Sequence, residues 1–225
     1  MIRSTGLQEG SGSPSQFGAG WPENDQVRLL SKLLRSSLGT RRAHALAPSL
    51  IQRFGSIPAI LNAEPARLNE VPGIGLATVN LLATARELVE QVARQRICTT
   101  RPVLASWSDL VDYLHVTMAF LPVEQFRILF LDKKNHLIAD EVQQTGTVDH
   151  TQAYPREIIK RSLDLSASAL ILVHNHPSSD FLPSSRDVQM TRDLDSVAKA
   201  LGITIHDHII VGQSGHSSLR ALKLI

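Results

Sequence analysis

Residues 174 to 187 read His-Asn-His-Pro-Ser-Ser-Asp-Phe-Leu-Pro-Ser-Ser-Arg-Asp, and this stretch holds residue types that can do chemistry. The apolar run before it, Ala169-Leu170-Ile171-Leu172-Val173, reads as a buried strand. Side chains two apart on a strand share a face. His174 and His176 therefore aim two imidazoles at one point, while Asn175 points away. Pro177 has no N–H to offer a neighbouring strand, so pairing should stop there. Ser184-Ser185-Arg186-Asp187 then reads as a helix start, a serine cap with an acidic residue three positions on. A carboxylate in that first turn is favoured by the helix dipole. Two histidines from a strand end and an aspartate from a helix start make a three-ligand metal site. Imidazole and carboxylate suit zinc, and three protein ligands leave a fourth position for water, as in catalytic rather than structural zinc. Each half alone is commonplace, two strand histidines or a helix cap. Their conjunction, with Pro177 and Pro183 between them, carries the signal.

The order His-x-His-Pro, then six residues ending Phe-Leu-Pro, then Ser184-x-x-Asp187 resembles the JAMM (MPN+) metalloprotease motif. The words His-Asn-His-Pro-Ser and Tyr154-Pro155-Arg156-Glu157-Ile158 resemble the RadC branch of that superfamily. The resemblance covers residues 103 to 225 well and the N-terminal part more loosely. Every ligand position matches; position 179, often Gly in RadC proteins, is Ser here. The resemblance implies a JAMM/MPN-type, cytidine-deaminase-like α/β/α sandwich around a mixed sheet. It also implies a zinc-dependent hydrolase that cleaves a peptide or isopeptide bond in a peptide or protein substrate.

A metal-activated water reacts best with a carboxylate to take its proton. In JAMM enzymes that base is a Glu upstream of the histidine pair and outside the metal shell. Glu124, Glu141 and Glu157 precede His174 in this half of the chain. Glu124, in Pro122-Val123-Glu124-Gln125-Phe126, opens the strand that leads the sheet and matches the family position. Glu141 is the alternative. The family also gives Ser184 a role in holding the carbonyl oxygen as charge develops on it, beside its capping role. His206 and His208 fall two apart on one predicted strand, with Asp207 between and facing the other way. No third ligand is offered near them, and Asp207-His208 resembles an Asp-His pair in RadC proteins, so a structural or supporting role fits better than ligation. His150 and His216 read as surface residues.

The elements that must position these groups follow from periodicity. Ser106 to Phe120 reads as a helix with Leu110, Val111, Leu114 and Met118 as its core stripe. Phe126, Ile128, Phe130 and then Leu137, Ile138, Val142 outline two strands around the turn Asp132-Lys133-Lys134-Asn135. Pro155 to Leu165 reads as a helix, Ala169 to Val173 as the metal strand, and Ser184 to Leu201 as a helix closed by Gly202. Ile203 to Val211 and Leu219 to Ile225 read as two last strands. The first half is all helical: Asn24 to Ser37, Arg41 to Phe54, a short helix over Ser56 to Asn62, another from Glu64-Pro65 through Leu68, and a long one from Leu76 to about Gln95. The fold class is thus α/β (α+β). The predicted domains are a disordered Gly/Ser/Pro-rich tail over 1–22, a helical domain over 23–101 and a metal-binding domain over 103–225. Residues 98–105 form the linker.

Leu68-x-x-Val71-Pro72-Gly73-Ile74-Gly75 between two helices resembles a helix-hairpin-helix motif. Backbone N–H groups at Gly73–Gly75 could hold a DNA phosphate without reading sequence. Equally, the hairpin could do no more than pack two helices. Charge is divided unevenly: residues 1–101 carry 12 Lys+Arg against 7 Asp+Glu, and residues 102–225 carry 11 against 14. A basic front half is compatible with nucleic acid. The single cysteine, Cys98, excludes an internal disulfide, and no C-x-x-C exists for a thiolate zinc site; the cytoplasm is the natural compartment. No apolar run spans a membrane and no signal pattern opens the chain. Three readings compete: a zinc hydrolase, a DNA-binding or DNA-repair accessory protein whose metal site is structural or vestigial, and a nuclease. Phosphodiester chemistry commonly uses carboxylate-rich Mg²⁺ sites, and two histidines with one aspartate do not match that.

Overall fold

The computed structural model describes residues 15–16, 22–98, 102–146, 154–178 and 180–225. The chain divides into two compact units, residues 18–96 and residues 97–225, the latter including the N-terminal strand β1 (Ser15–Gln16).

The first unit is helical: α1 (Glu23–Phe54), α2 (Ile57–Leu61), α3 (Pro65–Asn69) and α4, which starts at Leu76 and ends at Ile97. The two helices expected over 24–37 and 41–54 appear as one stretch broken at Gly39, whose φ of 74° only glycine adopts freely. On either side of that break, Leu30, Leu34, Ala43, Ala47 and Leu50 bury one face together with Ile60, Leu68, Val79 and Leu82. Ser56 caps α2, its hydroxyl accepting from the Ala59 N–H at 3.3 Å. Before α4 the Ile74 N–H donates to the Val71 carbonyl at 3.1 Å, and Gly73 turns the chain with φ 92°.

The second unit comprises α5 (Trp107–Met118), β2 (Glu124–Leu131), β3 (Leu137–Gly146), α6 (Pro155–Asp164), β4 (Ala169–Asn175), α7 (Ser185–Ala200), β5 (Thr204–Val211) and β6 (Gly215–Ser218). The sheet order is β1-β6-β5-β4-β2-β3. β4 and β5 pair parallel, joined by α7 as a β-α-β crossover, and the other pairs are antiparallel. β4 is the central strand and every residue in it is buried, which is why its sequence is a continuous apolar run rather than an alternation.

Phe126, Ile128, Phe130, Leu170, Leu172 and Ile205 form one face, covered by Ile158 and Ile159 of α6 and Leu194 and Ala198 of α7. On the other face Arg127 donates to Asp140 at 3.0 Å and to the Tyr113 hydroxyl of α5 at 3.2 Å. Leu110, Leu114 and Met118 of α5 are buried. Helix, mixed sheet and helices make three layers, the expected α+β architecture.

One expectation is corrected here. The last strand is Gly215–Ser218, not Leu219–Ile225. The later stretch turns back on itself instead, with Leu222 N–H bonded to the Ser218 carbonyl at 3.0 Å and Leu224 N–H to the Leu219 carbonyl at 2.9 Å. The predicted disordered tail over 1–22 lies mostly outside the described residues; of the described ones, Ser15 and Gln16 pair with His216 and Gly215. Within the predicted linker 98–105, residues 99–101 lie outside the described set. Val103 is buried and its N–H bonds to the Asn135 carbonyl at 2.8 Å.

Candidate metal centre

Three elements meet at the C-terminal end of β4. The strand supplies His174, buried on the face that α7 covers. His176 follows, its N–H donating to the Val211 carbonyl at 2.9 Å as the last ladder bond before Pro177. Its Nδ1 lies 2.8 Å from the Asp180 carbonyl. A carbonyl only accepts, so Nδ1 carries a hydrogen.

His176 Nε2 does not face solvent alone. His174 Nε2 stands 2.9 Å from His176 Nε2. Glu124 Oε1, at the start of β2, is 3.7 Å from His176 Nε2 and 4.0 Å from His174 Nε2. One atom each of Glu124, His174 and His176 falls within a 4.8 Å group.

Asp187 arrives from the start of α7 through a capping box. Its Oδ2 accepts from the Ser184 N–H at 2.8 Å and the Ser184 hydroxyl at 2.6 Å, while its own N–H donates to Ser184 Oγ at 3.2 Å. Its Oδ1 faces His174 Nε2 at 3.6 Å. One carboxylate oxygen closes the helix start and the other faces the site. Ser184 is next to the centre as expected, but its hydroxyl hydrogen is directed at Asp187; contact with a substrate oxygen requires that hydrogen to turn.

The four residues singled out from sequence around the metal, His174, His176, Asp187 and Glu124, are thus brought together. The tightest group includes Glu124, which had been assigned outside the metal shell, and Asp187 reaches the group through His174. Burial pushes the His174 imidazole down, to about 4, against the opposing pull of Asp187 and with a further push from His176. It is neutral at neutral pH, as a ligand must be. Imidazole nitrogens and carboxylate oxygens converging from two strands and a helix fit a divalent zinc-like cation.

Sequence reasoning underused two residues. Asn175, taken only as pointing away, is fully buried and holds the start of β2. Its Oδ1 accepts from the Gln125 N–H at 2.9 Å and its Nδ2 donates to the Val123 carbonyl at 3.2 Å. These bonds bracket Glu124. The signal was available: an amide in a buried strand needs partners for both ends. His208 stands directly behind His174, Nε2 to Nδ1 at 2.8 Å, and its own Nδ1 lies 2.6 Å from Thr191 Oγ1 on α7. Burial pushes this imidazole well below its ordinary value, with His174 and His176 adding to the effect.

The pairing of His206 with His208 on one face is corrected. Leu170 opposes Ile205 but Ile171 opposes Asp207, so the register steps over His206 and the alternation breaks there. His206 Nε2 meets Asn135 Oδ1 at 2.7 Å, away from the site. Asp207 supports the backbone, accepting from the His208 N–H at 2.7 Å and the Arg220 N–H at 3.1 Å.

The alternative bases lie elsewhere. Glu141 is gripped by Arg161, Nε to Oε2 at 2.9 Å and a second guanidinium nitrogen to Oε1 at 2.5 Å. That pairing holds its carboxyl below the usual range. Glu157 is exposed in the first turn of α6. His216, expected at the surface, is half-buried on β6, and His150 lies outside the described residues.

Residues 104–224 match the family described as RadC-like JAB domain. A "UPF0758 protein" from Rhodobacter capsulatus is 50% identical over 197 residues, covering 88% of this chain and 92% of the relative.

Proposed function

Since the chain belongs to the RadC-like JAB-domain family, whose JAB domains include metal-dependent hydrolases, we propose that it is a zinc-dependent hydrolase cleaving a peptide or isopeptide bond. His174, His176 and Asp187 hold the metal and Glu124 is the general base. The observation that supports this most is the convergence of Glu124 Oε1 on two imidazole Nε2 atoms that face one another at 2.9 Å. Zinc held by these residues would supply an acidified water and polarise a carbonyl. Glu124, with Oε1 3.7 Å and 4.0 Å from the two imidazole Nε2 atoms, is placed to take a proton from an attacking water and pass it to the leaving nitrogen. Asn175 keeps the strand that carries Glu124 in place. Ser184, once its hydrogen turns from Asp187, steadies the carbonyl oxygen.

The test is metal analysis of the purified protein beside a peptidase screen against peptide and ubiquitin-like libraries. Stoichiometric zinc with cleavage that a chelator abolishes supports the reading; zinc without cleavage of any peptide or isopeptide bond counts against it.

A second reading concerns the helical unit. The turn at Gly73, with its φ of 92° ahead of α4, supports a weak, sequence-independent DNA contact through Gly73–Gly75. On that reading the protein is a DNA-repair accessory. Binding that falls steeply as salt rises, and disappears on deleting the hairpin, is the expected outcome. Among the described residues no helix is long and apolar enough to cross a membrane, and with Cys98 as the single cysteine we assign the protein to the cytoplasm.

A further inference from the structure

We infer that Thr191 and His208 form a hydrogen-bonded relay that fixes the tautomer of His174 and holds its Nε2 lone pair toward the metal centre. The inference rests on the metal site proposed above.

The relay is read one hydrogen at a time. Thr191 lies one turn beyond Asp187 on α7, fully buried, with Oγ1 2.6 Å from the Asp187 carbonyl. A carbonyl cannot donate, so the single hydroxyl hydrogen is used there. Thr191 Oγ1 can then only accept from His208, whose Nδ1 is 2.6 Å away. His208 Nδ1 therefore carries a hydrogen. The ring is fully buried, packed edge-on against Phe126 with ring centres 5.9 Å apart. With Nδ1 carrying the ring's hydrogen, the neutral ring that the relay requires has its Nε2 bare. That bare nitrogen lies 2.8 Å from His174 Nδ1, which must donate to it. His174 is left with its lone pair on Nε2, the atom that faces His176, Glu124 and Asp187.

The same helix thus acts twice. Its first turn offers Asp187 to the centre, and its second orders the hydrogens that orient His174. Metal-bound histidines generally donate their other N–H to a partner that fixes the ring, and losing such a partner costs about 10- to 100-fold in metal affinity. Here the partner is an imidazole, which can accept only because Thr191 forces its tautomer. Thr191 and His208 are positioning residues; neither faces the position of the substrate.

The test uses the full chain. Nitrogen-15 NMR of the histidine rings, with and without zinc, should find His208 neutral in the Nδ1–H form, the less common form of a free imidazole. Zinc affinity measured by chelator competition should fall about 10- to 100-fold in Thr191→Val, which keeps the shape and removes the acceptor oxygen, and should stay within a few-fold of wild type in Thr191→Ser. A role in packing alone would favour valine over serine. His208 found in the Nε2–H form or protonated at neutral pH, or Thr191→Val binding zinc as wild type does, would overturn the relay. If the wild type binds no zinc, the metal reading fails by itself, and the ring spectra of the metal-free protein still decide the relay. They decide it equally if Thr191→Val does not fold.

Discussion

Asp187 divides its carboxylate between two tasks: Oδ2 accepts both Ser184 donors, at 2.8 and 2.6 Å, and Oδ1 faces His174 Nε2 at 3.6 Å. The helix start and the metal centre therefore depend on one side chain. Asp187→Ala should remove both, with loss of bound zinc and a folding stability lower by about 1 kcal/mol from the missing cap. Elemental analysis and chemical denaturation read the two effects separately. Ser184→Ala should lower stability by a similar amount while keeping the metal.

Glu124 reaches both imidazoles yet is assigned the proton rather than the metal. Glu124→Gln preserves shape and leaves three ligands, so zinc content should be unchanged while turnover falls by roughly 10²–10⁴. Loss of zinc in that variant would make Glu124 a ligand. Full activity in it, with activity lost in Glu141→Gln, would move the base to a residue that now grips Arg161.

Asn175 is predicted to matter for turnover without touching metal. Asn175→Ala leaves the Gln125 N–H without its acceptor next to a buried strand, at a cost of about 1–3 kcal/mol. Because the same bonds bracket Glu124, activity should drop while zinc stays bound. Wild-type turnover in a destabilised but folded Asn175→Ala would show that the clamp serves the fold alone.

The buried histidine gives the metal-free protein a pH signature. His174 titrates at about 4 in the fold against 6.5 ordinarily. Between those values the unfolded chain binds a proton that the folded chain refuses, so the contribution of His174 to stability is full above pH 6.5, falls as pH drops through this window and levels off near 4. Urea unfolding of the metal-free protein across that range should show this slope, and a smaller slope in His174→Gln.

The parts legible in the sequence were those set by local chemistry. His174 and His176 on a strand end, Asp187 three residues past a serine, and Gly202 closing a helix are each signalled within a few residues. Glu124 was found through family resemblance, since nothing local distinguishes it from Glu141. What was missed depends on register between distant segments. The step over His206 turns His208 to the site, and no periodicity in β5 announces it. Thr191 reads as one more polar residue on an exposed-looking helix until β5 is placed beneath it. The strand at Gly215–Ser218 has little apolar content of its own and exists because β5 offers it an edge.

The central claim is that these histidines hold zinc. Its most direct test is the metal-to-protein ratio, by elemental analysis, of wild type and His176→Ala purified alike in the presence of zinc. The account predicts one zinc per wild-type chain and almost none in His176→Ala, since two protein ligands rarely retain zinc. Equal zinc in both, or none in the wild type, would contradict it.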